Sequence, residues 1–322
     1  MKLLRLPLAT SLAVFSLLAI VQIMPKKPIL LLDRVYSGAG WFQILLFCGY
    51  ASLIAWHMQD VSKSALWRRR TWFLFSIVFF GQLILGLVVS SFFLMTGRLH
   101  LPIPAMIIAG PLYRGEIGMM PMLLLSTVLL SGPAWCSHIC YFGGLDNIAA
   151  TSSHCRIKVV PNTVLKLSIL IVMIFSSLVL RFTNAHIHLV VGLAAVYGLI
   201  GCAVILLYSL KRGSMVHCTI YCPIGTLVRY LKWISPFRLR IEQNCSACNR
   251  CTSYCSYGAL ERAHLLAQRP GPNCTLCGDC LAACSNQSLK YSFMNLTPEH
   301  ARMLWLFITI TLHTVTLAIA RI

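Results

Sequence analysis

The sequence predicts an α-helical membrane bundle of six to seven transmembrane helices that carries a small cysteine-rich module outside the bilayer. Three observations support this fold class. The 322-residue chain is 58% apolar and only 11% charged, whereas soluble domains carry about 25% charged residues. Apolar runs close to transmembrane length recur along the chain. In addition, its cysteines are concentrated in one segment near the C-terminus, residues 245–284.

Six apolar runs approach the length of a transmembrane helix, which is about twenty residues. They are Leu8–Met24, Trp41–Met58, Trp72–Met95, Ile117–Leu130, Val164–Leu180 and His188–Leu210. The run at Thr96–Glu116 is interrupted by Pro102, Pro104 and Pro111. Proline breaks helices, so this segment is expected to lie on the surface or to re-enter the membrane.

One more helix is expected at the C-terminus. Thr297 is a good N-cap residue, and Pro298 suits the first helical position. The apolar run Met303–Ala320 is long enough for a seventh span or an interfacial helix. The chain therefore divides into a transmembrane helical domain (1–234), a cysteine-rich domain (235–293) and a C-terminal helix (294–322).

The formal charge of +19 is explained by membrane orientation, and no nucleic-acid partner is expected. With seven spans, most of the 27 Lys and Arg residues fall on one side, in the N-terminus, in the basic loop Val61–Thr71 and in two later loops. The positive-inside rule makes this side cytoplasmic. We therefore expect a multi-pass protein of the inner membrane, with membrane lipid around its helices and the cysteine-rich domain on the cytoplasmic side.

The cysteine-rich domain holds two copies of the run C-x2-C-x2-C-x3-C. This spacing binds [4Fe–4S] clusters in bacterial ferredoxins, where the fourth cysteine ligates the other cluster. It predicts a first cluster on Cys245, Cys248, Cys251 and Cys284, and a second on Cys274, Cys277, Cys280 and Cys255. Zinc or a mixed metal site is the alternative for such cysteines. Ser256 and Ser285 replace the proline that usually follows the fourth cysteine.

A second cysteine pattern occurs twice in the helical domain. The segments CSHICYFGGL and CTIYCPIGTL both match C-x3-C-x2-G-x-L, which indicates an internal repeat. Thiols four residues apart share one face of a helix, so the two pairs are a candidate site for a further iron–sulfur centre. The cysteines are Cys136, Cys140, Cys218 and Cys222. The alternatives are buried structural thiols at a helix end or a reversible dithiol.

The layout of helices, two C-x3-C pairs and two ferredoxin runs resembles the NapH-type ferredoxin membrane proteins, which are quinol-dehydrogenase subunits of periplasmic nitrate reductase systems. It also resembles the C-terminal half of NosR-type proteins and the methylamine-utilisation ferredoxin-type membrane proteins. The resemblance covers about Met119 to Phe293. The C-x3-C-P motif of the family maps onto Cys218, Cys222 and Pro223, whereas Tyr141 stands in place of the proline in the first copy.

The resemblance implies a membrane-bound iron–sulfur protein that relays electrons between the quinone pool and a soluble or membrane redox partner, as the electron-transfer subunit of a quinol-linked oxidoreductase. The cofactors would be the two [4Fe–4S] clusters that the cysteine runs predict, with the C-x3-C pairs as the candidate for a further centre, and quinone or quinol would be the substrate. Two other classes stay open. One is an assembly factor that reduces or delivers metal to a partner enzyme, and the other is a membrane regulator that senses metal or redox state.

A few other residues are weaker candidates. Glu116, at the start of the fourth span, is a candidate for proton transfer, with an ion pair to Arg114 as the alternative. Asp146 is expected to be solvated at a helix end. Further residues are weighed as metal ligands, as haem or quinone ligands (His186 and His188), as interfacial polar groups or as packing residues. These are His57, His138, His186, His188, His217, His313, Cys48, Cys155 and Cys202.

Overall fold

The computed structural model describes residues 2–25, 28–90, 93, 103–153 and 162–319. The described chain is mostly helical. The helices that precede the cysteine-rich domain are α1 (Lys2–Ile23), α2 (Leu31–Val35), α3 (Gly40–Met58), α4 (Val61–Val88), α5 (Met106–Arg114), α6 (Met119–Ser131), α7 (Tyr141–Ser152), α8 (Thr163–Phe182), α9 (Ile187–Val204), α10 (Leu210–Arg212) and α11 (Pro223–Leu231). Five-residue π turns lie at Trp135–Ile139, Ile205–Ser209 and His217–Tyr221.

The remaining elements form the ferredoxin module, residues 235–293, and the last helix. They are β1 (Arg238–Ile241), α12 (Arg250–Tyr254), α13 (Arg262–Leu266), β2 (Leu289–Ser292) and α14 (Pro298–Ala318). Strands β1 and β2 pair antiparallel, with Leu239 opposite Tyr291. Both cysteine runs lie in the chain between these two strands, so the pairing ties the first and last segments of the module together.

Six helices among the described residues are long and apolar enough to cross a membrane, as judged by length and composition. They are α1, α3, α4, α8, α9 with its continuation to Arg212, and α14. Large apolar side chains on α8 and α9, such as Val172 and Leu199, are exposed. These features are compatible with a multi-pass membrane protein. The predicted span Ile117–Leu130 is the 13-residue helix α6, which is shorter than the six.

The predicted basic loop Val61–Thr71 is wrong, because these residues form the first three turns of α4. Asp60 caps this helix by accepting a hydrogen bond from the Ser62 backbone N–H at 2.9 Å. No proline or glycine interrupts residues 61–71. The predicted span Trp72–Met95 therefore starts about three turns too late, and α4 ends at Val88.

The predicted surface or re-entrant segment Thr96–Glu116 lies partly outside the described residues. Its described part contains α5, a nine-residue helix that packs against α8. The left-handed conformation of Gly115 (φ 76°) ends this helix.

Helix α14 begins as predicted, with the Thr297 side chain accepting a hydrogen bond from the His300 backbone N–H. It packs against α1 and α3. Gln43 of α3 donates to the Ala318 carbonyl at 3.0 Å, and Arg302 donates to the carbonyls of Met58 and Gln59 at 2.7 Å. These contacts fix both ends of α14 within one group of helices.

Candidate iron–sulfur centres

The structure gathers the eight ferredoxin cysteines around two pockets. Cys245, Cys248, Cys251 and Cys284 line one pocket, the first ferredoxin site. Cys255, Cys274, Cys277 and Cys280 line the other, the second ferredoxin site. Each pocket thus takes three cysteines from one run and the fourth from the other. This is the grouping that the ferredoxin spacing predicts, and metal ligation itself stays a prediction.

The two cysteine loops have the same backbone geometry. Ala247 (φ 51°) and Leu276 (φ 57°) occupy equivalent positions inside the first C-x2-C of each run, and both are left-handed. Residues other than glycine rarely adopt this backbone conformation, and it persists only where the surrounding structure enforces it. Asn249 and Gly278 are also an equivalent left-handed pair. These turns aim successive cysteine side chains into one pocket.

The fourth cysteine of each run receives an equivalent hydrogen bond. The Ala259 backbone N–H donates to the Cys255 sulfur at 3.2 Å, and the Ser288 N–H donates to the Cys284 sulfur at 3.3 Å. Such bonds favour the thiolate and tune the reduction potential of a bound cluster. Burial of Cys255 has the opposite effect and raises its pKa to about 11.

Each ferredoxin site offers four thiols, three from one run and one from the other, which is the donor set of a [4Fe–4S] cluster in bacterial ferredoxins. A zinc ion holds thiolates at about 2.3 Å, which brings the four sulfurs within about 4 Å of one another. Among the described residues, no group of three or more His, Cys, Asp or Glu side chains is placed to hold one metal ion.

A third pocket collects the cysteines of the internal repeat. Cys136, Cys140, Cys218 and Cys222 all line it, so each repeat contributes two thiols. We call these four cysteines the joint site. The sequence pattern predicts this convergence only if the two copies are related by a local symmetry axis.

The backbones of the two repeats match closely. In each, the first cysteine lies in a π turn and the second caps the next helix, α7 or α11. Cys140 (φ −72°, ψ 114°) and Cys222 (φ −71°, ψ 119°) have nearly identical conformations. The expectation that each pair lies on one face of a single helix is wrong, because the chain leaves the helical path at the second cysteine.

The glycine that both copies of the repeat share has a packing reason. A Cβ atom on Gly225 would lie 2.8 Å from the Cys218 carbonyl oxygen, and one on Gly143 would lie 3.2 Å from the Cys136 carbonyl oxygen. The glycine in each copy therefore lets the helix start lie against the backbone of the first cysteine.

Side chains from other elements hold the backbone of the joint site. The Trp72 indole donates to the Cys140 carbonyl at 2.8 Å, and the Tyr257 hydroxyl donates to the Cys136 carbonyl at 2.6 Å. Asp146 accepts the backbone N–H of Cys218 at 2.9 Å. The expectation that Asp146 is solvated is wrong, since it is fully buried. Burial raises the pKa of its carboxyl to about 6, although its hydrogen bonds oppose this rise.

Cationic side chains surround the joint site. Lys166, Arg229 and Lys232 line the pocket, and only 3% of Lys166 is exposed. Burial, together with the nearby Cys222, raises the pKa of the Cys140 thiol to about 12. Four such thiols lose their protons only to a metal or a positive field. The three cations therefore make this pocket suitable for an anionic metal centre.

The joint site and the second ferredoxin site adjoin each other. Cys274 lines the pockets of both sites, and so do Tyr257 and Thr275. The Met215 backbone N–H donates to the Ser256 carbonyl at 3.2 Å, which ties the second repeat to the loop after Cys255. The module is thus packed directly on the helices that carry the joint site.

The weaker sequence candidates lie away from these pockets or beside them. His138 bonds to the Ser137 hydroxyl, and His313 bonds to Tyr50 and to the His138 carbonyl. Glu116 is exposed, and the described residues contain no ion pair between Glu116 and Arg114. Its role in proton transfer stays a prediction.

The other candidates are placed as follows. His186 and His188 stack on each other, His57 stacks on Trp67, Cys48 bonds to the Ser11 carbonyl, and Cys202 packs among apolar side chains. Cys155 lies outside the described residues. His217 is buried beside Cys222, and both line a small pocket behind the joint site.

Comparison with known proteins supports iron–sulfur binding at the repeats. A family model described as a 4Fe-4S binding domain matches two segments of the chain, residues 116–154 and 194–242. Each matched segment contains one C-x3-C pair of the joint site, and both end before Cys245. No curated protein and no solved structure shows significant similarity to the chain.

The match and the fold together define a mostly helical iron–sulfur protein of ferredoxin type, with about six long apolar helices. The two matched segments are the two copies of the repeat. Each copy thus carries one matched segment and two of the four cysteines of the joint site, and a centre shared by the two copies stays a prediction.

Replacing Gly225 with alanine is expected to disturb the joint site. The new methyl group would meet the Cys218 carbonyl at 2.8 Å, a backbone atom that cannot rotate away. Overpacking of this kind costs about 1–3 kcal/mol, so we expect lower iron content at the joint site with the ferredoxin sites intact. Gly192→Ala is the control, because nothing lies within 4 Å of a Cβ at that exposed position. Equal iron content in the two variants would contradict the packing account.

Proposed function

We propose that this protein is a membrane-bound iron–sulfur electron-transfer protein that relays electrons between the quinone pool and a redox partner, as a quinol dehydrogenase-like subunit. The observation that carries the proposal is the row of three cysteine pockets. The joint site lies against the helices and shares Cys274 with the second ferredoxin site, and the second ferredoxin site is linked to the first through the two cysteine runs. Iron–sulfur clusters, when bound, take up and pass on single electrons.

Short chain segments and one hydrogen bond connect the neighbouring sites of this row. Cys251 and Cys255 belong to one cysteine run but line different pockets, and the same holds for Cys280 and Cys284. The two ferredoxin sites are therefore joined by short covalent segments. Tyr257 connects the second ferredoxin site to the joint site, through its hydrogen bond to the Cys136 carbonyl.

The outer end of the row offers a docking point for the redox partner. Cys248 is exposed, and Arg250 beside it is exposed as well. Arg240, Arg262 and Arg269 are also exposed on the module. Its carboxylates are largely occupied, since Asp279 binds Arg68 and Glu242 binds Lys290. This charge distribution favours an acidic partner surface.

The proposal is tested by adding a short-chain quinol to the anaerobically purified protein and recording EPR spectra. We expect quinol to reduce the clusters and to produce the same EPR signals that reduction by dithionite produces. If dithionite reduces the clusters but no quinol does, the link to the quinone pool is wrong. If the protein contains stoichiometric zinc and little acid-labile sulfide, the iron–sulfur basis is wrong.

The proposed orientation places the ferredoxin module on the cytoplasmic side of the inner membrane, because the basic residues concentrate on that face. A protease added to intact spheroplasts should then leave residues 235–293 uncut. Once the membrane is opened, the protease should cut the solvent-exposed loop around Arg269. Cleavage of this loop from outside intact spheroplasts would reverse the orientation.

A further inference from the structure

An apolar cavity of about 430 Å³ lies among α5, α8 and α9. We propose that it binds a quinone or quinol, with the ring at the end nearest the joint site and the isoprenoid tail directed along the helices toward lipid. This inference rests on the proposed function, because it places the substrate of the electron relay within the fold.

The size and shape of the cavity suit such a ligand. Its volume falls within the range of about 300–1,000 Å³ that is common for small-molecule sites. The lining residues on α8 run from Ser168 to Leu180, a distance of about 18 Å at 1.5 Å per residue. Most of the lining is apolar, which suits a long hydrocarbon tail.

An aromatic pair closes the end of the cavity nearest the joint site. The rings of Tyr197 and Tyr221 stack with their centroids 4.8 Å apart. Each hydroxyl donates to the backbone carbonyl of the other residue, at 2.9 Å from Tyr221 and 3.3 Å from Tyr197. Tyr221 directly precedes Cys222. A flat ring that packs on this pair would therefore lie next to the joint site.

A buried imidazole lies just behind the aromatic pair. Tyr197 and Ile103 line both the large cavity and the small pocket that contains His217 and Cys222. Only 3% of His217 is exposed, and its ring contacts the Gly201 backbone but makes no hydrogen bond of normal geometry at either nitrogen. Buried polar groups without a partner are rare in folded proteins. A quinone oxygen or quinol hydroxyl that reaches this pocket would supply the partner.

These features favour a quinone over a lipid acyl chain. An acyl chain would fill the apolar part of the cavity, but it carries no flat ring for the tyrosine pair and no polar atom for His217. A quinone has both, as well as the apolar tail. The end of the cavity that recognises a polar ring is also the end that lies beside Cys222.

The inference is tested with a photoreactive azidoquinone and variants that fill the cavity. Ala194→Phe on α9 and Ser177→Phe on α8 each add a ring at a buried lining position. We expect labelling of α8 and α9 in the wild-type protein and at least about tenfold less labelling in both variants, because the added volume cannot be accommodated. Val196→Phe is the matched control, since Val196 is 53% exposed on α9 and does not line the cavity.

Cluster content by EPR after dithionite reduction shows whether each variant is folded. If folded Ala194→Phe and Ser177→Phe proteins are labelled like the wild type, or if the label maps to other helices, the cavity assignment is wrong. The assignment would also be overturned, in favour of a lipid site, if phospholipid reduced the labelling as effectively as unlabelled quinone does.

The quinol reduction assay separates this inference from the proposed function. If quinol reduces the clusters at the wild-type rate in the filled variants, the relay stands and the cavity assignment fails. If quinone labels the cavity but quinol reduces no cluster in the wild type, the binding site stands and the relay fails.

Discussion

Replacing Arg68 with methionine is expected to lower the free energy of unfolding by up to about 3–5 kcal/mol, because it removes the main partner of a buried carboxylate, which keeps only Arg69 at 4.0 Å. Arg68 is 1% exposed and donates to both oxygens of Asp279, at 2.8 and 2.6 Å. It also donates to the Ser137 carbonyl at 3.0 Å. Asp279 lies between Cys277 and Cys280, so this one side chain joins α4, the first repeat and the ferredoxin module.

The thermal midpoint and the iron content of the purified variant measure this effect. Lys63→Met is the matched control, because Lys63 forms an exposed ion pair with Asp60 at 3.7 Å and such pairs contribute about 0–1 kcal/mol. The double variant Arg68→Met with Asp279→Leu should recover much of the loss, since it removes both buried charges. If Arg68→Met and Lys63→Met have equal thermal midpoints, Arg68 does not stabilise the attachment of the module to the helices.

The second large effect is expected from Cys136→Ser combined with Cys218→Ser. Each repeat then keeps one thiol, and two thiols do not complete a four-cysteine site. We expect loss of reduction of the ferredoxin clusters by quinol, while dithionite still reduces them. The reason is that the joint site is formed by the helical part of the chain and shares the lining residue Cys274 with the second ferredoxin site.

The control for this variant replaces two cysteines that line none of these three pockets. Cys48→Ser with Cys202→Ser removes the same number of thiols from the helical part of the chain. Reduction by quinol should be unchanged in this control. If the Cys136 and Cys218 variant is also reduced by quinol at the wild-type rate, the electrons do not pass through the joint site.

The sequence was most informative where spacing alone determines geometry. The ferredoxin runs place three cysteines in each loop, and the structure groups all eight as the spacing predicts. The left-handed Ala247 and Leu276 were not predictable, because neither residue favours positive φ. Only the requirement to aim three thiols into one pocket explains their conformation.

Long-range contacts were beyond the sequence pattern. Arg68 and Asp279 are 211 positions apart, and the three arginines from Arg68 to Arg70 resembled a cytoplasmic loop more than a helix that enters the protein. Asp146 carries no motif of its own, and only the fold shows that it accepts the Cys218 N–H. One signal was available for it: an acidic residue just after a repeat motif, in a chain with only eight acidic residues.

The central claim is that the two repeats share a third iron–sulfur centre in addition to the two ferredoxin sites. Iron and acid-labile sulfide analysis of the anaerobically purified protein tests it most directly. Three [4Fe–4S] clusters require about twelve irons and twelve sulfides per chain. The Cys136→Ser and Cys218→Ser variant should retain about eight of each. About eight irons in both proteins would contradict the account.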